Sequence, residues 1–134
     1  MDSVGVCCVI CGKALSLHSL KVLFMNVEEI REYCLTVGTD VVEKTPFVKF
    51  HGAESVLAFY VGGHIFCYFD FDKFDVVTVK CQPARIADLR ESCDYICDPF
   101  NMSPKYWIGI RAKDCPDAVM KELIANSYAI VGRG

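Results

Sequence analysis

The chain has 134 residues, of which 53% are hydrophobic and 23% charged, so it can bury the core of one compact domain. Its formal charge of −3, from 14 basic and 17 acidic residues, excludes a global positive field that would attract nucleic acid or an anionic membrane. The nine cysteines are odd in number and the aliphatic content is ample. We therefore expect a cytoplasmic protein with reduced, mostly buried thiols rather than a disulfide scaffold.

The first 24 residues differ from the rest of the chain in their pattern of apolar and charged residues. Asp2 stands where a secretory signal carries positive charge, and the apolar run from Val4 to Cys11 is only eight residues long. Such a run is too short to span a membrane, and we expect no membrane association. We predict that residues 1–24 are an extension, either flexible or a mis-assigned start, and that residues 25–134 form a single domain.

The first helix is predicted to begin after Asn26. Asn26 and Glu29 have the spacing of a capping box, in which each side chain accepts the backbone N–H of the other residue. Apolar residues then follow at helical spacing, namely Val27, Ile30, Tyr33, Cys34 and Val37. Gly38 supplies a plausible end to this helix.

Residues 45–81 have the alternation and aromatic content of strands. Gly62 and Gly63 join two apolar runs and permit the positive φ values of a two-residue hairpin turn. An unbroken register pairs Val61 with His64, Phe59 with Phe66 and Leu57 with Tyr68 on one face, and Tyr60 with Ile65, Ala58 with Cys67 and Val56 with Phe69 on the other. Both faces are apolar, which predicts a central position for this hairpin.

The remaining elements follow from the same patterns. Residues 76–81 form a strand with Val77, Val79 and Cys81 on one side, and Pro83 opens a second helix. Two further strands surround Asn101 to Pro104, and Pro116 begins a third helix. The predicted order is α-β-β-β-α-β-β-α. It indicates an α+β two-layer sandwich, an antiparallel sheet with helices on one face.

Five segments of the chain are similar to a known family. They are "REYCL", "FYVGGHIFCYF", "VTVKCQPARIADLRE", the turn from Lys105 to Trp107, and "MKELIANSYAIV". In this order they resemble the MmcQ/YjbR family of small bacterial proteins, from about Met25 to Val131. The resemblance implies a compact CyaY-like fold, and a double-wing DNA-binding role has been proposed for the family, whose activity is poorly defined.

The family signature maps onto specific positions of this chain. Lys80 and Pro83 match its Lys-x-x-Pro step, Lys105 and Trp107 match its turn, and Ser127-Tyr128 match its terminal pair. Two residues of the turn depart from the family: Pro104 replaces a basic residue of many members, and Tyr106 replaces a frequent histidine. Both changes lower the positive charge of the turn.

A row of cations surrounds the single tryptophan. If residues 107–113 form one strand, Lys105, Trp107, Arg111 and Lys113 project to one face, while Tyr106, Ile108, Ile110 and Ala112 project to the core. Lys80 joins the outward set from a neighbouring strand. We predict that these five outward residues form a candidate nucleic-acid-binding face, because cations neutralise phosphates and tryptophan stacks on bases. The alternative is a solvated face in which lysine and arginine stems cover the ring.

Other motifs predict little chemistry. Cys8 and Cys11 have the spacing of half a zinc knuckle, but the second half is missing, so we predict no metal site. Asp70, Asp72 and Asp75 lack the glycine and the distal glutamate of a calcium loop, and a solvated turn is the simpler interpretation. No catalytic motif and no cofactor fingerprint are present.

The sequence therefore predicts a non-enzymatic domain without a cofactor. It binds either DNA, weakly and in a salt-sensitive manner, or a protein partner through the sheet face, as secretion chaperones of similar architecture do.

Overall fold

The computed structural model describes residues 24–52, 54–99 and 102–133. Along the chain lie α1 (Val27–Thr36), β1 (Val42–Lys44), β2 (Val56–Val61), β3 (His64–Asp70), β4 (Val76–Lys80), α2 (Pro83–Ser92), β5 (Ile96–Cys97), β6 (Trp107–Arg111) and α3 (Asp117–Arg133). The strands form one antiparallel sheet in the order β1-β2-β3-β4-β6-β5. The predicted α+β fold is confirmed, and the sequence pattern had missed only the short edge strand β1.

The core lies between the helices and one face of the sheet. Ile30 of α1, Ile86 of α2 and Met120 of α3 belong to one buried cluster, together with the inward side chains of the strands. Val77, Val79 and Cys81 belong to it as predicted. None of the helices in the described part of the chain combines the length and the apolarity that a membrane span needs. The region of Cys8 and Cys11 lies outside the described residues, so the extension stays a prediction.

The capping box at α1 is confirmed, and α1 ends just before Gly38 as predicted, although Gly38 does not adopt the left-handed conformation of a glycine cap. The Asn26 side chain accepts the Glu29 N–H at 2.8 Å, and the Glu29 carboxylate accepts the Asn26 N–H at 3.0 Å. Gly38 has no positive φ and lies beyond the right-handed C-cap residue of α1. A Cβ at Gly38 would overlap the hydroxyl and ring of Tyr128, so glycine is needed here for close packing of α3.

The hairpin contains a β-bulge that the predicted register lacked. Gly62 and Gly63 have φ values of 59° and 84°, as expected. The pairs next to the turn are also as predicted, with Val61 opposite His64 and Tyr60 opposite Ile65, but Phe59 then lies opposite Cys67. The other pairs shift accordingly, to Ala58 with Tyr68, Leu57 with Phe69 and Val56 with Asp70.

Phe66 is the extra residue of this bulge. Both runs are apolar on both faces, so alternation in the sequence could not locate it. Phe66 packs edge-on against Tyr128 on the helical side of the sheet, with 5.4 Å between ring centroids. Tyr68 was predicted to share a face with Phe59. The bulge turns it to the opposite face, where it packs with Ala58.

We call the surface opposite the helices the helix-free face, and its side chains form three rows across the strands. The Trp107 row contains Val42, Tyr60, Ile65, Lys80 and Trp107; the Gly109 row contains Lys44, Ala58, Tyr68, Thr78 and Gly109; the Arg111 row contains Val56, Asp70, Val76 and Arg111. The centre of the Gly109 row is buried, with Ala58, Tyr68 and Thr78 at most 5% exposed. Phe47 and Met102 pack over part of this face. The two outer rows therefore lie on either side of a buried centre.

Candidate functional site

A cleft of about 480 Å³ opens at the end of the sheet that carries the Trp107 row. Its lining residues are Tyr60, Gly63, His64, Ile65, Lys80, Met102, Trp107, Ile130 and Val131. We call it the Trp107 cleft. Two of the five predicted site residues, Lys80 and Trp107, lie in it together, and the hairpin of β2 and β3 forms the opposite wall.

Lys80 and Trp107 form a cation–aromatic pair inside the cleft. They are direct partners in the register of β4 and β6, and the Lys80 ammonium lies 5.9 Å from the centre of the Trp107 ring. Both side chains are partly exposed. In the described chain, no carboxylate forms an ion pair with Lys80. The pair thus offers an aromatic ring and a positive charge without a carboxylate partner to a ligand that enters the cleft.

A buried serine of α3 fixes the backbone beneath this pair. The hydroxyl of Ser127 accepts the Lys80 backbone N–H at 2.9 Å and donates to the carbonyl oxygen of Phe66. The pairing of β3 with β4 runs only from Phe69 and Val77 to Cys67 and Val79. Ser127 therefore satisfies two backbone groups that the sheet leaves unpaired next to the bulge.

Tyr60, at the other wall of the cleft, forms a second cation–aromatic pair with Lys44, which borders a separate cavity and does not line the Trp107 cleft itself. The Lys44 ammonium lies 4.9 Å from the centre of the Tyr60 ring. No local motif marked Lys44 or Tyr60 in the sequence, because β1 and β2 join the sheet of β4 and β6 only through the strand order. A signal was present all the same: Tyr60 was predicted to share a hairpin face with Ile65, which lies in the cleft.

The cation stripe predicted along β6 is not continuous. A Cβ at Gly109 would lie 2.6 Å from the carbonyl oxygen of Asp98, 2.9 Å from a methyl group of Val76 and 3.0 Å from the Cys97 sulfur. The chain that follows β5 thus lies directly on the helix-free face at Gly109. It separates Trp107 from Arg111, which are four residues apart on the same strand.

Arg111 is already engaged in local contacts. Its Nε lies 3.3 Å from a carboxylate oxygen of Asp114, and its Nη2 donates to the carbonyl oxygen of Asp94. The Arg111 backbone N–H also bonds the carbonyl of Tyr95 at 2.8 Å. Arg111 therefore ties the approach to β5 onto β6. The strand ends at Arg111, so Lys113 lies exposed in the following turn and not on the strand.

Lys105 lies in the turn that leads into β6, two residues before Trp107. It is exposed, and its ammonium lies 5.5 Å from the centre of the Tyr106 ring. Tyr106 was predicted to point into the core, but it is 43% exposed because β6 begins only at Trp107. The buried half of the motif is instead Ile108, Ile110 and Ala112.

The acidic turn after β3 is a structural loop. The Asp70 carboxylate accepts the Ser55 hydroxyl at 2.6 Å and the backbone N–H groups of Asp72 and Lys73, each at 2.9 Å. Burial would raise the pKa of Asp70, but these hydrogen bonds outweigh it and lower that pKa. Within the described ranges, no group of three or more His, Cys, Asp or Glu side chains is placed to hold a metal ion.

The chain matches a protein-family model. The family model YjbR matches residues 39–130, which is more than half of the chain. This chain belongs to the YjbR family. Lys80, Trp107 and Ser127 lie within the matched range. Lys80 and Trp107 line the Trp107 cleft, and Ser127 bonds the Lys80 backbone.

Two solved structures share the YjbR-type fold. A Deinococcus radiodurans protein with a DUF419 domain superimposes with a TM-score of 0.71 at 22% identity, over 81% of this chain and 79% of that one. A Pseudomonas syringae protein superimposes with a TM-score of 0.66 at 19% identity, over 80% of this chain and 99% of that one. No curated protein matches the chain. Identities this low establish the fold alone, and the CyaY-like label stays an expectation.

Proposed function

We propose that this YjbR-family domain binds single-stranded DNA at the Trp107 cleft. The observation that carries the proposal is the Lys80–Trp107 pair, which is partly exposed and has no competing carboxylate partner in the described chain. An aromatic ring stacks on any unpaired base, and a neighbouring ammonium group neutralises the phosphate of the same nucleotide. The remaining walls are largely apolar, which suits the face of a base.

The geometry favours a single strand over a duplex. A duplex buries the faces of its bases, so a ring recessed in a concave cleft cannot stack on them. Duplex binding through this face would require a continuous row of cations along the backbone, and Gly109 and the contacts of Arg111 interrupt that row. In this proposal, Lys80, Trp107 and Lys105 carry the binding, while Arg111 and Lys113 contribute little.

Fluorescence anisotropy of a labelled oligothymidylate, at low and at moderate salt, tests the proposal. Trp107→Ala removes the stacking ring, and we expect a loss of affinity of about 5- to 100-fold. Lys80→Ala should weaken binding several-fold. Lys121→Ala is the matched control, because Lys121 lies over the Tyr33 ring at the same 5.9 Å on the helical side of the domain. The absence of binding at low salt, or equal losses in the two lysine variants, would refute the proposal.

Binding of a protein partner by the same face is the second candidate. Large apolar side chains are exposed beside the β1 margin, namely Val42 at 49%, Val48 at 56% and Phe50 at 61%. Exposed apolar groups in one region favour contact with another protein. A photo-crosslinker at Val48 would capture such a partner in the wild type and in Lys80→Ala, but not in Phe50→Ser. Equal capture by Phe50→Ser would refute this candidate.

A further inference from the structure

We infer that the bound strand crosses the sheet from Trp107 toward Tyr60 and Lys44, so that the site has two stacking platforms. This inference rests on the proposed function. It adds a direction, a minimum length of ligand and two binding residues, Tyr60 and Lys44. Of the two routes that lead from Trp107 over the helix-free face, one is closed and the other is open.

The route along β6 is closed. The carbonyl oxygen of Asp98 lies where a side chain of residue 109 would project, so the main chain itself blocks the way from Trp107 to Arg111. Thr78, the register partner of Gly109, is 1% exposed. At the far end, Arg111 is engaged by Asp114 and by the Asp94 carbonyl. Among the described residues, a strand that leaves Trp107 in this direction meets the buried Gly109 and Thr78 and then a guanidinium group that is already engaged.

The route across the strands is open from Trp107 as far as Tyr60. Trp107 and Tyr60 both line the Trp107 cleft, with Ile65 and Met102 between them as an apolar floor. The two aromatic residues lie on β6 and β2, which are three strand positions apart in the sheet. At the usual spacing of neighbouring strands, this separation is about 14 Å. One concave surface therefore presents an aromatic ring at each of its two walls.

Each ring has its own cation. Lys44 lies over Tyr60 as Lys80 lies over Trp107, at 4.9 and 5.9 Å from the ring centres. Glu43, the carboxylate adjacent to Lys44 in sequence, is bound by the Arg31 guanidinium at 2.8 Å and does not pair with Lys44. The arrangement at Trp107 is thus repeated at Tyr60. A ring for a base next to an ammonium for a phosphate is the unit that binds one nucleotide of a single strand.

The separation of the platforms sets a minimum length for the ligand. Bases stacked on one another rise about 3.4 Å per nucleotide, so about 14 Å is several times the distance between stacked neighbours. A mononucleotide or a dinucleotide can occupy only one platform. An oligonucleotide long enough to reach both platforms is held at two points. Its affinity rises because the second contact forms within the complex that the first contact has already made.

The test uses the full chain and oligothymidylates of 1 to 12 nucleotides, with Trp107 fluorescence as the reporter of the first platform. In the wild type, we expect affinity to rise at least tenfold between the dinucleotide and the 12-mer. Tyr60→Ala should lower the affinity for the 12-mer by about 5- to 100-fold and leave quenching by the dinucleotide unchanged. Tyr60→Phe keeps the ring and should bind as the wild type does.

Lys44→Gln is a second variant at an exposed position, where folding is not at risk. It should reduce the slope of log affinity against log salt for the 12-mer by about 0.7. Quenching of Trp107 with no effect of Tyr60→Ala and Lys44→Gln would overturn the second platform and leave the proposed function intact. The absence of quenching with every oligonucleotide at low salt would overturn both.

Discussion

The hydroxyl of Ser127 donates a hydrogen bond to the carbonyl oxygen of Phe66, the extra residue of the bulge in β3. The same hydroxyl accepts the backbone N–H of Lys80 at 2.9 Å. One side chain of α3 thus joins β3 to β4 at the point where their direct pairing ends. Because Lys80 also lines the Trp107 cleft, the bulge and the cleft depend on the same buried hydroxyl.

Ser127→Ala should destabilise the domain. Ser127 is fully buried, so its removal leaves the Phe66 carbonyl and the Lys80 N–H without partners inside the protein. We expect a loss of about 1–3 kcal/mol in the free energy of unfolding, measured by urea denaturation. Ser92→Ala is the control, since Ser92 is exposed on α2 and bonds only a carbonyl of its own helix. Equal stabilities of the two variants would contradict the role of Ser127.

Gly109→Ala should also be destabilising, for a steric reason. The added methyl group would lie 2.6 Å from the Asp98 carbonyl, which is main chain and cannot rotate away. We expect a cost of about 1–3 kcal/mol in thermal or chemical unfolding. In the control Gly132→Ala, the new Cβ would meet only Val61, at 3.8 Å, and the change should be neutral or stabilising by about 0.5 kcal/mol. A neutral Gly109→Ala would show that the segment after β5 is not held against the sheet.

Gly38 and Tyr128 should be coupled. Tyr128 is held by its edge-on contact with Phe66 and by its hydrogen bond to Asp40, so it cannot yield to a methyl group at Gly38. Gly38→Ala should therefore cost about 1–3 kcal/mol in the wild type. In a Tyr128→Ala background the same change should cost much less, with a coupling energy of at least about 1 kcal/mol in a double-mutant cycle. Additive effects would mean that the clash is relieved by backbone movement instead.

Cys115 should be unreactive in the native protein. Burial raises the pKa of its thiol to about 12, so at pH 8 about one molecule in ten thousand carries the thiolate that reacts with alkylating reagents. Peptide mapping after brief labelling should find Cys93, which is only partly buried, modified before Cys115. Labelling of Cys115 at the rate of Cys93 would contradict this order.

The raised pKa of the Cys115 thiol also predicts the effect of alkaline pH on stability. The folded-state pKa is raised, so the contribution of Cys115 is complete below the ordinary thiol pKa of about 8.5 and is lost as the pH rises toward 12. The melting temperature should therefore fall above about pH 9. Cys115→Ala should show a shallower fall over this range than the wild type.

The salt dependence of DNA binding should report the number of engaged lysines. Lys44, Lys80 and Lys105 give three phosphate contacts, which predicts a slope of about −2 for log affinity against log salt with a single strand. Lys113→Gln should leave this slope unchanged, because Lys113 lies in the turn beyond β6, on the far side of Gly109 from the cleft. A slope near zero would mean that the cleft binds its ligand without phosphate contacts.

Local sequence signals predicted the elements well. The capping box at Asn26, the Gly62-Gly63 turn and the three helices are each encoded within a few neighbouring residues, and all are present in the structure. The bulge at Phe66 could not be predicted, because a hairpin that is apolar on both faces satisfies either register. The one-residue shift in register at the bulge reversed the face predicted for Tyr68.

The candidate site was predicted only in part. The missing part depends on the strand order and on a long-range contact, which local sequence patterns do not encode. Lys80 and Trp107 were correctly placed on one face, since alternation along two strands determines it. Lys44 and Tyr60 join them only because β1 and β2 lie in the same sheet beyond β3, which is a property of the strand order. The continuity predicted along β6 is absent because the chain after β5 lies over Gly109, a long-range contact that alternation within β6 does not encode.

The contact between Gly109 and Asp98 has a consequence for comparisons within the family. A relative with any larger residue at this position has to carry its main chain away from the sheet at the equivalent of Asp98. The sheet surface between the residues equivalent to Trp107 and Arg111 would then be exposed. A single alignment column thus separates relatives whose sheet carries one long surface from those in which, as here, it carries two short ones.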